Sequence, residues 1–170
     1  YDGDADRCIA VDHRGNIIDG DKIMYVCGKY LREKGQLNGN TVVTTVMSNL
    51  GLYKSLEREG IDYEQTAVGD KYVAENMMEN NYSIGGEQSG HIIFSRYSAT
   101  GDGILTSLMI MEACVDQKAT LCDLAKEMKV YPQLLRNVRV SDKKTALENE
   151  KVKAAIEAAA EALGDDGRIL

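Results

Sequence analysis

Between residues 20 and 117 two periodicities take turns, and few folds accommodate that. "TVVTTV" at 41–46 is β-branched throughout, as a strand buried on both faces requires. Before it, Ile23, Val26, Cys27, Tyr30 and Leu31 hold helical spacing, with Asp21 placed to cap the helix and Gly35 to stop it. After it, Leu50, Tyr53 and Leu56 do the same between a Ser48 or Asn49 cap and Gly60. Further strands are expected over 63–68, 82–85 and 91–94, and a helix from Asp70 that turns Val73, Ala74, Met77 and Met78 inward. An apolar helix over 104–116 and a shorter one from Thr120 to about Met128 complete this part. Cys8–Val11 followed by the turn residues 13–16 reads as a hairpin over 8–18. The alternation predicts an α/β fold, a three-layer α/β/α sandwich on a mainly parallel mixed sheet. Right-handed crossovers then gather the loops at 46–49, 68–71 and 85–91 along one sheet edge, where ligands bind in such folds.

Pro132 marks a boundary. Beyond it, 134–140 alternates as a strand, 145–163 repeats as a helix with Val152, Ile156, Ala159 and Leu163 on one face, and "DDGRIL" reads as a turn into another strand. The expectation is an incomplete β-α-β segment. Unpaired edges in it favour a homodimer through residues 131–170. The formal net charge of −7 excludes nucleic acid and anionic membrane as partners, since both demand basic surface. The four cysteines form no C-x-x-C pair and suit reduced thiols in a cytoplasmic protein.

Two short motifs carry the chemistry. In "DGDADR" at 2–7, Asp2, Asp4 and Asp6 recur at every second position on a loop, so their carboxylates can converge on one hard divalent cation such as Mg²⁺. A calcium EF-hand loop is excluded, because Arg7 stands where glycine is needed and His13 where glutamate is needed. In "GGEQSGH" at 85–91, Glu87 and Ser89 lie two apart on a glycine-rich turn and can both face a sugar's hydroxyls or amine. The turn is neither a nucleophile elbow nor a dinucleotide fingerprint. "VGDKYV" at 68–73 sets Lys71 at a helix N-terminus, an arrangement that suits an anion. "TGDG" at 100–103 reads as a helix-capping turn rather than a phosphate loop, because it lacks the lysine and spacing of one.

The order of these pieces, "DGDADR", "VGDKYV", "GGEQSGH", "TGDG" and a closing "GRIL", resembles the α-D-phosphohexomutase family over nearly the whole chain. Gln88 is similar to the family's glucosamine-processing branch. The resemblance implies a four-domain parent, with residues 1–18 ending its second domain, 19–130 forming its third and 131–170 starting its fourth. It implies that a phosphoserine loop belongs upstream and an "R-x-S-G-T-E-P" phosphate loop downstream. The implied reaction interconverts glucosamine 6-phosphate and glucosamine 1-phosphate through a phosphoserine and a bisphosphate. In that reaction Asp2, Asp4 and Asp6 would hold Mg²⁺, and Arg7 would sit beside the transferring phosphate. Glu87 and Ser89 would grip the sugar, and His91 and Lys71 would line the cleft near the phosphate or the proton-transfer positions. The alternatives are a phosphomannomutase/phosphoglucomutase of the same family, or a sugar-phosphate or metal-binding module without catalysis.

Overall fold

The computed structural model describes residues 1–164 and 167–170, which divide into two units, Tyr1–Tyr131 and Pro132–Leu170. The first opens with a two-stranded hairpin, β1 (Ala10–Val11) and β2 (Ile17–Ile18), paired antiparallel as the turn residues predict. Asp12 organises it. Its carboxylate accepts from the backbone N–H groups of Arg14 and Asn16 and from the Asn16 side chain, each at 2.9 Å. These bonds, that from the Asn16 side chain foremost, hold the Asp12 carboxyl well below the usual carboxylate range. A carboxyl depressed by folding stabilises the native state above its unfolded pKa and loses that contribution as pH falls toward the folded value. The melting temperature of Asp12→Ala should therefore lie below wild type at neutral pH, and the gap should narrow progressively as pH falls below about 4.

Helix α1 (Gly20–Glu33) follows, then β3 (Thr41–Thr45), α2 (Leu50–Glu59), β4 (Asp62–Thr66), α3 (Asp70–Asn80), β5 (Ile84–Gly86), β6 (Ile92–Phe94), α4 (Gly103–Asp116) and the short α5 (Leu121–Ala125). The sheet order is β4-β3-β5-β6, with β6 antiparallel to β5 and the other pairs parallel. β3 is central and all five of its residues are buried. The chain leaves β3 toward β4 through α2, then returns past β3 to β5 through α3. With right-handed crossovers these two helices fall on opposite faces. Val42, Ile84, Ile92 and Phe94 accordingly pack with α1, α2 and α4, while Val43 and Ile93 pack with Val73 and Met77 of α3. This is the expected α/β/α sandwich, lopsided, with α3 the one helix of this unit on its second face. β4, "DYEQT", is an outer strand with Asp62, Glu64 and Gln65 exposed.

Several local expectations need correction. The cap of α1 is Asp19, which accepts from Lys22 N–H at 3.2 Å; Asp21 lies inside the first turn, fully buried, and accepts from Asn49 N–H at 2.6 Å. Two aspartates compete for one cap, and the tertiary partner decides. Of the two caps expected for α2, Asn49 is the one used, and its side chain also bonds both backbone polar groups of Tyr131. Met78 is 79% exposed, because a lone helix on a sheet buries only a narrow stripe.

The second unit holds α6 (Lys143–Glu148) and α7 (Glu150–Leu163), so the single helix expected over 145–163 is broken at Asn149, whose side chain caps α7. No strand forms over 134–140. Leu134, Leu135 and Val138 are each nearly four-fifths exposed, and a strand without a neighbour has nothing to satisfy its backbone. The unpaired edge on which dimerisation was argued is thus absent among the described residues. Of "DDGRIL", Asp165 and Asp166 lie outside the described residues, and 167–170 are irregular.

Candidate active site

The two motifs some eighty residues apart are in contact. Arg7 and His91 form an antiparallel bridge, and Cys8 N–H donates to the Gly90 carbonyl at 3.1 Å. The turn between β5 and β6 is tight, with Glu87 N–H donating to His91 O at 3.1 Å and Gly90 N–H to Glu87 O at 3.0 Å. α1 abuts this turn, where Gly20 N–H donates to Gln88 O at 3.0 Å. A Cβ on Gly20 would stand 2.0 Å from the Glu87 carbonyl oxygen, so glycine alone permits the approach. The Gln88 amide reaches back to the Asp19 carboxylate at 3.2 Å and clamps the start of α1.

The aspartate loop is fastened from the other side. Gly103 N–H, at the head of α4, donates to Ala5 O at 2.9 Å. Ala5 itself takes a left-handed φ of 62°, a conformation costly to an L-residue by about 1–2 kcal/mol and held here by its surroundings. Asp2, Asp4 and Asp6 each present a carboxylate oxygen, all within 4.8 Å of one another. Such crowding has electrostatic consequences. Burial, followed by the charges of Asp2 and Asp4, pushes the Asp6 carboxyl up. Asp2 is drawn down in spite of its own desolvation, by the Arg7 N–H, by Asp6 and by the Arg7 guanidinium. Asp6 Oδ1 is buried with no hydrogen-bond partner. A buried carboxylate oxygen without a hydrogen bond, beside two more carboxylates, suits an all-oxygen divalent cation. The donor set therefore fits Mg²⁺.

Arg7 is half exposed, its Nε 3.4 Å from Asp2 and 3.9 Å from Asp6. His91 is buried, its Nε2 3.4 Å from Asp6 Oδ2 and 3.8 Å from Asp70 Oδ2. Glu87 accepts from Gly69 N–H at 3.1 Å and so ties the turn to the loop before α3, while Ser89 is exposed at the turn's tip. The expected convergence of the loops after β4 and β5 on one edge is thereby met. Lys71 is not drawn into the cluster. Its ammonium lies 3.6 Å from Glu75, one turn along α3 and exposed, on a groove of about 400 Å³ shared with Met78, Tyr82 and Ile93. Asp70, read from sequence only as a helix start, is the site residue that reading missed. "TGDG" caps α4 through Asp102, which accepts from Leu105 N–H at 2.9 Å, as expected.

Residues 19–131 match the family model described as phosphoglucomutase/phosphomannomutase, alpha/beta/alpha domain III. The chain belongs to this family. Among relatives of this chain, the phosphoglucosamine mutase of Lachnoclostridium phytofermentans is 61% identical, and that of Lachnospira eligens 59%, each over all 170 residues. The chain spans 38% of the length of either relative. Among solved structures, a putative phosphomannomutase from Thermus thermophilus superposes with a TM-score of 0.69 at 30% identity, over 75% of this chain and 29% of that one. An N-acetylglucosamine-phosphate mutase in its product complex gives 0.76 over 97% of this chain and 41% of that one. At 21% identity, that likeness concerns the fold.

Proposed function

We propose that this chain carries the metal-holding and sugar-reading part of a phosphoglucosamine mutase, which interconverts glucosamine 6-phosphate and glucosamine 1-phosphate. The observation that supports it most is the contact between the aspartate loop and the 87–91 turn, in a chain 61% identical throughout to a protein of that name. Residues 1–18 would close a second domain, 19–130 form the third and 131–170 begin the fourth. Asp2, Asp4 and Asp6 would hold Mg²⁺, which when bound supplies charge neutralisation to phosphoryl oxygens.

The chain's own residues do the rest. The Arg7 guanidinium, half exposed at the rim of the loop, offers planar paired donors to a phosphoryl group. Glu87 has one carboxylate oxygen committed to Gly69 N–H, which fixes its direction and leaves the other for a sugar hydroxyl or ammonium. Ser89, exposed beside it, adds a hydroxyl that can donate or accept, so the pair can grip a sugar entering in either orientation. His91 is buried beside the aspartates, whereas Lys71, paired with Glu75 outside the cluster, would have to swing in on its flexible stem to reach a substrate there. Free thiols at Cys8, Cys27, Cys114 and Cys122, and the absence among the described residues of a helix long and apolar enough to cross a membrane, are consistent with work in the cytosol.

The test is the full-length protein assayed on glucosamine, glucose and mannose phosphates. Preference for the glucosamine substrate by about tenfold or more in kcat/KM is expected, a difference of about 1.4 kcal/mol in transition-state binding. Equal or better turnover of mannose and glucose phosphates would move the assignment to phosphomannomutase/phosphoglucomutase, and no turnover of any would leave a binding module. The 170-residue chain alone, 38% of its relatives' length, is expected to turn over none of them.

A further inference from the structure

The position of His91 has a meaning that a place in the cleft does not convey. The side chain is buried, and its ring packs so closely on Gly101 that a Cβ there would stand 2.4 Å from Nε2 and 2.6 Å from two ring carbons. Its backbone is fixed twice, by the bridge to Arg7 and by Glu87 N–H. The ring is therefore held in one orientation. In that orientation Nε2 faces two carboxylates, Asp6 Oδ2 at 3.4 Å and Asp70 Oδ2 at 3.8 Å, while Nδ1 is buried with no hydrogen-bond partner. A neutral imidazole has one N–H, and its place is the nitrogen that faces acceptors. Asp6 is thus divided: Oδ2 turns to the histidine, and the buried Oδ1 makes no hydrogen bond, with the Arg7 Nε 3.9 Å away.

We propose that His91 is a positioning residue of the aspartate loop, directing its Nε2–H at Asp6 Oδ2 so that Oδ1 is presented to the cation, with Asp70 as the outer carboxylate that keeps the imidazole in this tautomer. This rests on reading the loop as a divalent-metal site. A ligand oriented by a second group whose own direction is fixed is the usual means by which proteins hold metal donors in place. The glycine at 101 follows from the same requirement, since any side chain there would displace the ring.

Mn²⁺ binding to the 170-residue chain, followed by electron paramagnetic resonance of the free ion, tests it without any assay of turnover. His91→Gln places an amide N–H near the Nε2 position, whereas His91→Asn ends near Nδ1 and His91→Leu offers no donor. Wild type and His91→Gln should bind within about threefold of each other, and His91→Asn and His91→Leu about tenfold or more weakly. Far-UV circular dichroism and melting temperature identify any variant that fails to fold, and His91→Asn decides the matter if His91→Leu does fail. Wild-type affinity in both folded His91→Asn and His91→Leu overturns the positioning role and leaves the metal site standing. Equal weakening in His91→Gln also overturns it. No Mn²⁺ binding by the wild type overturns the metal reading itself, and this proposal with it.

Discussion

Asp6→Asn in the full-length protein is expected to lower kcat for glucosamine phosphate by roughly a thousandfold, with KM changed little. The magnitude follows from the several kcal/mol that a bound metal contributes to charge stabilisation, at about 1.4 kcal/mol per decade of rate. Asparagine keeps the shape of the side chain but removes the charge, and a hard cation discriminates sharply between carboxylate and amide. Glu87 and Ser89, which on the proposed reading would hold the sugar, make no hydrogen bond or ion pair with Asp6, so ground-state binding should survive. The repulsion among Asp2, Asp4 and Asp6 is also reduced, so the variant should melt no lower than wild type. A coupled assay of sugar-phosphate interconversion at saturating Mg²⁺ reads the effect. Activity within tenfold of wild type would remove the aspartate loop from the mechanism.

Gly20→Ala should be strongly destabilising for a single added methyl. The added Cβ would meet the Glu87 carbonyl at 2.0 Å, the Gly90 nitrogen at 2.9 Å and the Gln88 carbonyl carbon at 3.0 Å, all of them backbone. No rotamer relieves such a clash. Either α1 withdraws or the turn moves, at a cost of about 3 kcal/mol, the upper end for overpacking. For a chain of this size that is a fall of roughly 6–12 °C in melting temperature. The same shift displaces Glu87 and Ser89, so KM for sugar phosphate should rise in the full-length protein as well. Gly3→Ala, where nothing lies within 4 Å of the new Cβ, is the control and should melt within about 2 °C of wild type. Equal melting of the two variants would mean that the approach of α1 to the turn is looser than described.

Much of the sandwich is legible in the sequence because its signals are local. The β-branched run at 41–46 has little choice but a buried strand, and Gly60 and Asn49 sit where a helix end and a helix start demand them. Where legibility fails, a distant partner decides. Asp19 and Asp21 are equivalent as caps until Asn49 claims the second. Residues 134–140 alternate like a strand, but alternation describes a face and not a neighbour, and here the neighbour is lacking. The site divides in the same way. The spacing of Asp2, Asp4 and Asp6 on one loop is enough to suggest a cation site, whereas the convergence of Asp6, His91 and Asp70 belongs to three segments that only the folded chain brings together. Nothing in "VGDKYV" marks Asp70 rather than Lys71 as the residue whose side chain reaches toward His91.

The makeup of β4 also bears on how such a protein behaves at high concentration. An outer strand of a parallel sheet offers a row of unsatisfied amides and carbonyls to any passing strand, and a second copy of itself is the commonest visitor. Here the visitor would meet Asp62 and Glu64 with its own Asp62 and Glu64. Like charges placed opposite each other across a strand pair repel, and the molecule's net charge of −7 adds to the effect. At the other margin β6 is three residues long, too short to template much. Charge at one margin of the sheet and brevity at the other thus both weigh against edge-to-edge pairing.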